Sequence, residues 1–134
     1  MKSRETLIRL RRFQVDEKRR RVAQIEMMMA DFERMAGDLD REIAVEEKKT
    51  GISDPNHFAY PTYARAAAQR RDNLRRSAQE LNGQLDDAKA TLGEAFEELK
   101  KVEMLEDRDR SAERAMGASA ISDAGQGRVA RASY

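Results

Sequence analysis

His57 is the single histidine of the chain and the first residue to ask about chemistry, because it lies beside Asp54 and Asn56 in the segment Gly51-Ile52-Ser53-Asp54-Pro55-Asn56-His57-Phe58. An imidazole next to a carboxylate is the minimum for a general base, or one ligand of a metal site. Either use needs further groups converging in a concave pocket, which a chain of this composition is poorly equipped to form. The expectation is a solvated turn histidine. The acidic pairs Asp86-Asp87 and Glu97-Glu98 are sequence neighbours. On a helix such neighbours diverge by about 100°, so they cannot work as a carboxylate dyad. Gly37, Gly83 and Gly93 fall inside helical patterns rather than after a strand, which leaves no phosphate-cradling turn. With no cysteine there is neither a disulfide nor a thiolate metal site, which fits a reducing compartment. These residues predict no enzymatic activity, no cofactor, no metal and no small-molecule substrate.

Two other groups of residues suit binding rather than catalysis. The N-terminal region collects Arg9, Arg11, Arg12, Lys18, Arg19, Arg20 and Arg21, although the whole chain, with 26 basic and 25 acidic residues, carries a net charge of only +1. Such a cluster can meet an acidic protein surface, can be a solvated helix end, or can neutralise nucleic-acid phosphates. Lys18 to Arg21 wraps a full helical turn, and no aromatic residues interleave with it as they do in single-strand binders. An acidic protein surface is the reading these features favour. The second group is aromatic. Of four Phe and three Tyr, Phe58, Tyr60 and Tyr63 gather in one short segment. Either they pack back onto Ile52 and close a bend, or they present a contact surface to a partner.

The elements that must position these groups follow from composition and periodicity. Charged residues make up 38% of the chain and aromatics 5%, with no Trp, so a wide globular core is excluded in favour of long helices. From Ser3 to Lys49 no Pro interrupts, and Val22, Ile25, Met29, Phe32, Ala36, Leu39 and Ile43 alternate in steps of three and four, with Ile8 and Val15 continuing the series upstream. That is a coiled-coil seam. Arg11 and Lys18 occupy seam positions and weaken it there, while Leu7, Leu10 and Phe13 lie off it and suggest a second contact face. In the Met27-Met28-Met29 run only Met29 is on the seam; Met28 flanks it, and Met27 is left to fill gaps or to meet a partner.

Gly51, Pro55 and Pro61 end the pattern, and Thr62 is the expected N-cap of a second helix. Ala67, Leu74, Ala78, Leu81, Leu85, Ala88, Leu92, Ala95, Leu99 and Val102 then repeat the spacing. The expected fold is all-α: a long antiparallel two-helix coiled-coil hairpin over 3–116, with helix 1 about 3–50, a bend about 51–62, helix 2 about 63–116, and a disordered C-terminal tail over 117–134. A turn near Asn56 makes residues whose numbers sum to about 112 neighbours, placing Phe32 near Leu81, Ile25 near Ala88 and Ile8 near Met104. Arms of this length would reach roughly 75 Å and form a rod. One seam with several Ala positions buries little, so the isolated hairpin is expected to be marginally stable. No apolar run is long enough for a membrane span, and Met1 to Arg9 has no secretory signal character. The expectation is a soluble chain without membrane insertion.

The opening Leu7-Ile8-Arg9-Leu10-Arg11-Arg12-Phe13, the stretch from Glu46 to Pro61 and Gln69-Arg70-Arg71-Asp72-Asn73-Leu74 together resemble the flagellar export protein FliJ family. The likeness spans about residues 1–110, and the bend segment is its most specific part. The resemblance implies a cytoplasmic, non-enzymatic stalk or adaptor of the flagellar type III protein export apparatus, serving flagellum biogenesis and motility. It implies a place at the inner face of the cell membrane with the basal body, peripheral through partners. Those partners would be the hexameric export ATPase, the export gate protein and export chaperones. Carried onto this sequence, Arg11, Arg12, Lys18, Arg19, Arg20 and Arg21 would enter the ATPase ring, and Phe58, Tyr60 and Tyr63 would face the gate. The alternative from another class is a coiled-coil nucleic-acid or chromosome-associated protein binding through its basic end. Salt-sensitive binding to arbitrary duplex DNA would mark that alternative.

Overall fold

A computed structural model of the chain describes the backbone of residues 2–132 and the side chains of residues 3–119. Two helices account for nearly all of it: α1 over Lys2–Thr50 and α2 over Thr62–Ala132. No strand occurs among the described residues. The fold is the expected all-α pair of long antiparallel helices joined by a bend. The seam periodicity ends near Met116, whereas the helical backbone of α2 continues to Ala132. Most of the tail expected over 117–134 has side chains outside the described residues.

Local chemistry explains where α1 stops and α2 begins. Gly51 adopts a φ of +73°, a left-handed conformation that costs glycine nothing, and its amide donates to the Glu47 carbonyl at 2.9 Å. Thr50 Oγ1 donates to the carbonyls of Glu46 and Glu47 and accepts from the Ile52 amide, so the frayed end is satisfied locally. At the start of α2 the Pro61 carbonyl already accepts the Arg65 amide at 3.1 Å. Pro61 therefore stands at the cap and Thr62 is the first helical residue, one position later than its expected capping role.

The chain divides into two compact units. One comprises Asp16–Gly93 and contains the bend. Its α1 seam buries Val22, Ile25, Ala36 and Ile43 and half-buries Met29, Phe32 and Leu39. Its α2 seam buries Ala64, Ala67 and Leu81 and half-buries Leu74, Ala78, Leu85, Ala88 and Leu92. These are the three-and-four positions read from the sequence, extended one turn towards the bend. Partners joined across the helices set the direction, because rising numbers on α1 meet falling numbers on α2: Glu33 with Arg75, Asp40 with Arg71, and Glu42 with Tyr63.

The other unit comprises Met1–Val15 with Glu94–Tyr134. Val15 and Val102 are buried, with Ile8, Ala95 and Leu99 half-buried. Arg12 pairs with Glu103 at 3.3 Å, and Arg4 pairs with Asp109 and, at 3.9 Å, with Glu106, again in antiparallel order. Met104, expected opposite Ile8, is instead 61% exposed. The reason is the spacing itself: three and four steps beyond Leu99 give Val102 and then Glu106, so a half-buried carboxylate takes the seam position.

Candidate partner-binding surfaces

The bend is built by short-range bonds that the sequence makes obligatory. Asp54 Oδ1 accepts the Asn56 amide at 3.0 Å, the Asp54 carbonyl accepts the His57 amide, and the His57 carbonyl accepts the Tyr60 amide. His57 Nδ1 accepts the Ala59 amide at 3.0 Å, and its ring stacks on Phe58 with centroids 4.8 Å apart. The imidazole is thus a turn former. Among the described residues no group of three or more His, Cys, Asp or Glu side chains could hold a metal ion.

The three bend aromatics have three different fates. Tyr60 is 6% exposed and packs with Ile43, Ala64 and Ala67, backed by Leu39, Ile52 and Ala68. Arg65 lies over its ring, 5.5 Å from the centroid. This is the closing role, and it takes Tyr60 out of any partner surface. Phe58 is 96% exposed, and Tyr63, 55% exposed, donates its hydroxyl hydrogen to Glu42 at 2.7 Å. Burial, together with the hydrogen bond to Glu47, pushes the Tyr60 phenol above its usual range, and the Glu42 bond does the same for Tyr63.

The basic residues are likewise divided. Arg11 and Arg12 belong to the unit holding the chain ends, and Lys18, Arg19, Arg20 and Arg21 to the unit holding the bend. Arg11 is half-buried on the seam; its Nη1 donates to Gln14 at 3.1 Å, and its Nε is buried without a partner. Arg12 is exposed and committed to Glu103. Lys18 is half-buried on the seam, and Arg19 is 4.0 Å from Asp16. Arg20 and Arg21 are exposed and, with Lys18, line a groove of about 660 Å³ that Glu17 and Asp87 also border.

The two flanks of the seam in the bend unit differ in kind. On one flank Asp40 accepts from Arg71 at 3.0 Å and from Arg75 at 2.5 Å, and Arg75 also reaches Glu33 at 3.3 Å. Burial alone would raise the Asp40 carboxyl, but the bonds from Arg75 and Arg71 outweigh it and hold it below the usual carboxylate range. The same bonds raise both guanidinium groups. Composition gave no hint of this network. Its signal lay in the register: Asp40 follows seam residue Leu39, and Arg71 falls four residues after Ala67. The other flank of α1 carries Arg21, Met28, Met35 and Glu42 at intervals of seven. Met28 is 43% and Met35 42% exposed.

Fold and surface together define an antiparallel two-helix coiled coil with exposed aromatic, methionine and basic groups. Comparison of the chain with known protein families, with curated proteins and with solved structures finds no match. Among the described residues, no helix is long and apolar enough to cross a membrane.

Proposed function

We propose that this protein is a non-enzymatic stalk or adaptor of the flagellar type III export apparatus, bridging the export ATPase ring and the export gate and assisting export chaperones. The observation that carries the reading is the bend. Its sequence from Glu46 to Pro61 holds the most specific part of the FliJ resemblance, and its folding buries Tyr60 while leaving Phe58 96% exposed. A solvated phenylalanine stacked on His57, with Tyr63 also exposed, is the kind of group that supplies binding energy when covered. In the cell the protein works in the cytoplasm, held at the inner face of the membrane through its partners. The exposed Arg20 and Arg21, with Lys18 and Arg19 on the same turn, supply the positive surface for the ATPase.

Two variants test the two contacts separately. Reversal of Arg19, Arg20 and Arg21 to Glu abolishes capture of the export ATPase in a pull-down, and capture at undiminished strength overturns that assignment. Changing Phe58 and Tyr63 to Ser, with Tyr60 left in place because it is structural, abolishes motility at unchanged helicity. Intact motility removes the gate contact.

A further inference from the structure

We propose that the methionine flank of the bend unit is a self-association surface on which a second copy of this chain docks antiparallel, α1 against α1, about a twofold axis midway between Met28 and Met35. The proposal does not rest on the export reading, although Arg21 belongs to both surfaces and one partner at a time can cover it. Arg21, Met28, Met35 and Glu42 occupy equivalent positions in successive heptads, each one residue before a seam residue, so they form one row along α1. From Arg21 to Glu42 the row is cation, methionine, methionine, anion, and reversing it exchanges the two charges. Turned end for end on itself, it sets Arg21 against Glu42 of the second copy, Met28 against its Met35, and repeats both contacts by symmetry. A twofold interface must be self-complementary in this way.

The surroundings agree with the row. Among the described residues Arg21 forms no ion pair, and Glu42 accepts only a neutral tyrosine hydroxyl, so each retains charge for an outside partner. Grooves lie at the two ends of the row. At the Arg21 end, Lys18, Arg20 and Arg21 outnumber Glu17 and Asp87. At the other, Glu42 and Glu46 outnumber Arg41 beside Val45 and Tyr63. The opposite signs meet when the copies are antiparallel and repel when they are parallel. Asp31 and Asp38, which border the row, are already neutralised by Arg34 and Arg41. On α2 the same flank carries Arg70 near Tyr63 at the Glu42 end, followed at intervals of seven by the uncharged Ser77, Gln84 and Thr91. The other flank has no such capacity, since Glu33, Asp40, Arg71 and Arg75 consume one another's charge.

Sedimentation velocity of the full chain over a wide concentration range provides the test. Wild type is expected to approach twice the 15.3 kDa monomer mass at high concentration. Arg21→Glu and Glu42→Arg each place like charges across the axis and weaken association at least about tenfold. The double variant restores opposite charges and recovers it. Met28→Gln with Met35→Gln, both at exposed positions, gives a second variant that weakens association without unfolding the hairpin, checked by circular dichroism. A wild type that stays monomeric, single reversals without effect, or a double variant that fails to recover each overturns the proposal.

Discussion

Tyr60 donates its phenolic hydrogen to Glu47 Oε1 at 3.0 Å, tying the bend to α1 one turn before that helix ends. Its ring is meanwhile enclosed by Ile43, Ala64 and Ala67. Bond and ring can be separated. Tyr60→Phe removes the bond and is expected to cost about 1 kcal/mol. Tyr60→Ala also empties the cluster and is expected to cost about 3 kcal/mol or more. Urea denaturation followed by circular dichroism distinguishes them, and equal losses would show that the ring adds nothing.

The same phenol makes stability depend on alkaline pH. Its folded-state value lies above the ordinary 10.0, because burial and the Glu47 carboxylate disfavour the phenolate. A raised value means the folded chain holds the proton more tightly. The stabilisation is therefore complete below pH 10 and is lost as the pH climbs through the folded-state value. Wild type should lose melting temperature over that range faster than Tyr60→Phe. Parallel curves would count against the linkage.

Asp40 predicts the opposite dependence at low pH. Its carboxyl titrates below the ordinary 3.8 because Arg75 and Arg71 favour the charged form more than burial opposes it. Its contribution is present above pH 3.8 and disappears as the pH falls through the folded-state value. Asp40→Asn should lower the melting temperature at pH 7 and flatten the acid limb of the stability curve. A variant that retains the wild-type acid limb would assign that limb to other carboxylates.

The helices and their seam were readable because a single apolar stripe leaves one period to find. Val22, Ile25, Ala36 and Ile43 repeat at coiled-coil spacing and are buried. Gly51 and the two prolines could only be a bend, since Gly51 alone accepts the positive φ that ends α1. What sequence left open was which bend aromatic turned inwards. Tyr60 and Tyr63 are three residues apart in sequence and equally amphipathic, and the choice depends on a cavity formed by Ile43 and Ala64 from different helices. Met104 was misplaced for a related reason. Hydrophobicity selected it, whereas helical geometry gave the seam position to Glu106, whose carboxylate is held by Arg4 and Arg110.

Arg11 offers the last prediction, because it sets folding against binding. It holds a seam position, half-buried, with Nη1 donating to Gln14 and Nε without a partner among the described residues. A buried donor without a partner is costly, and a leucine of similar reach would bury apolar surface in its place. Arg11→Leu should stabilise the unit holding the chain ends by about 1–2 kcal/mol, measured as a higher urea midpoint. If the guanidinium is kept for the export ATPase, the same variant captures that enzyme less well while folding better, the trade expected where function retains a destabilising group. A loss of stability would show that Arg11 contributes to the seam as it stands. A gain with undiminished capture would remove it from the interface.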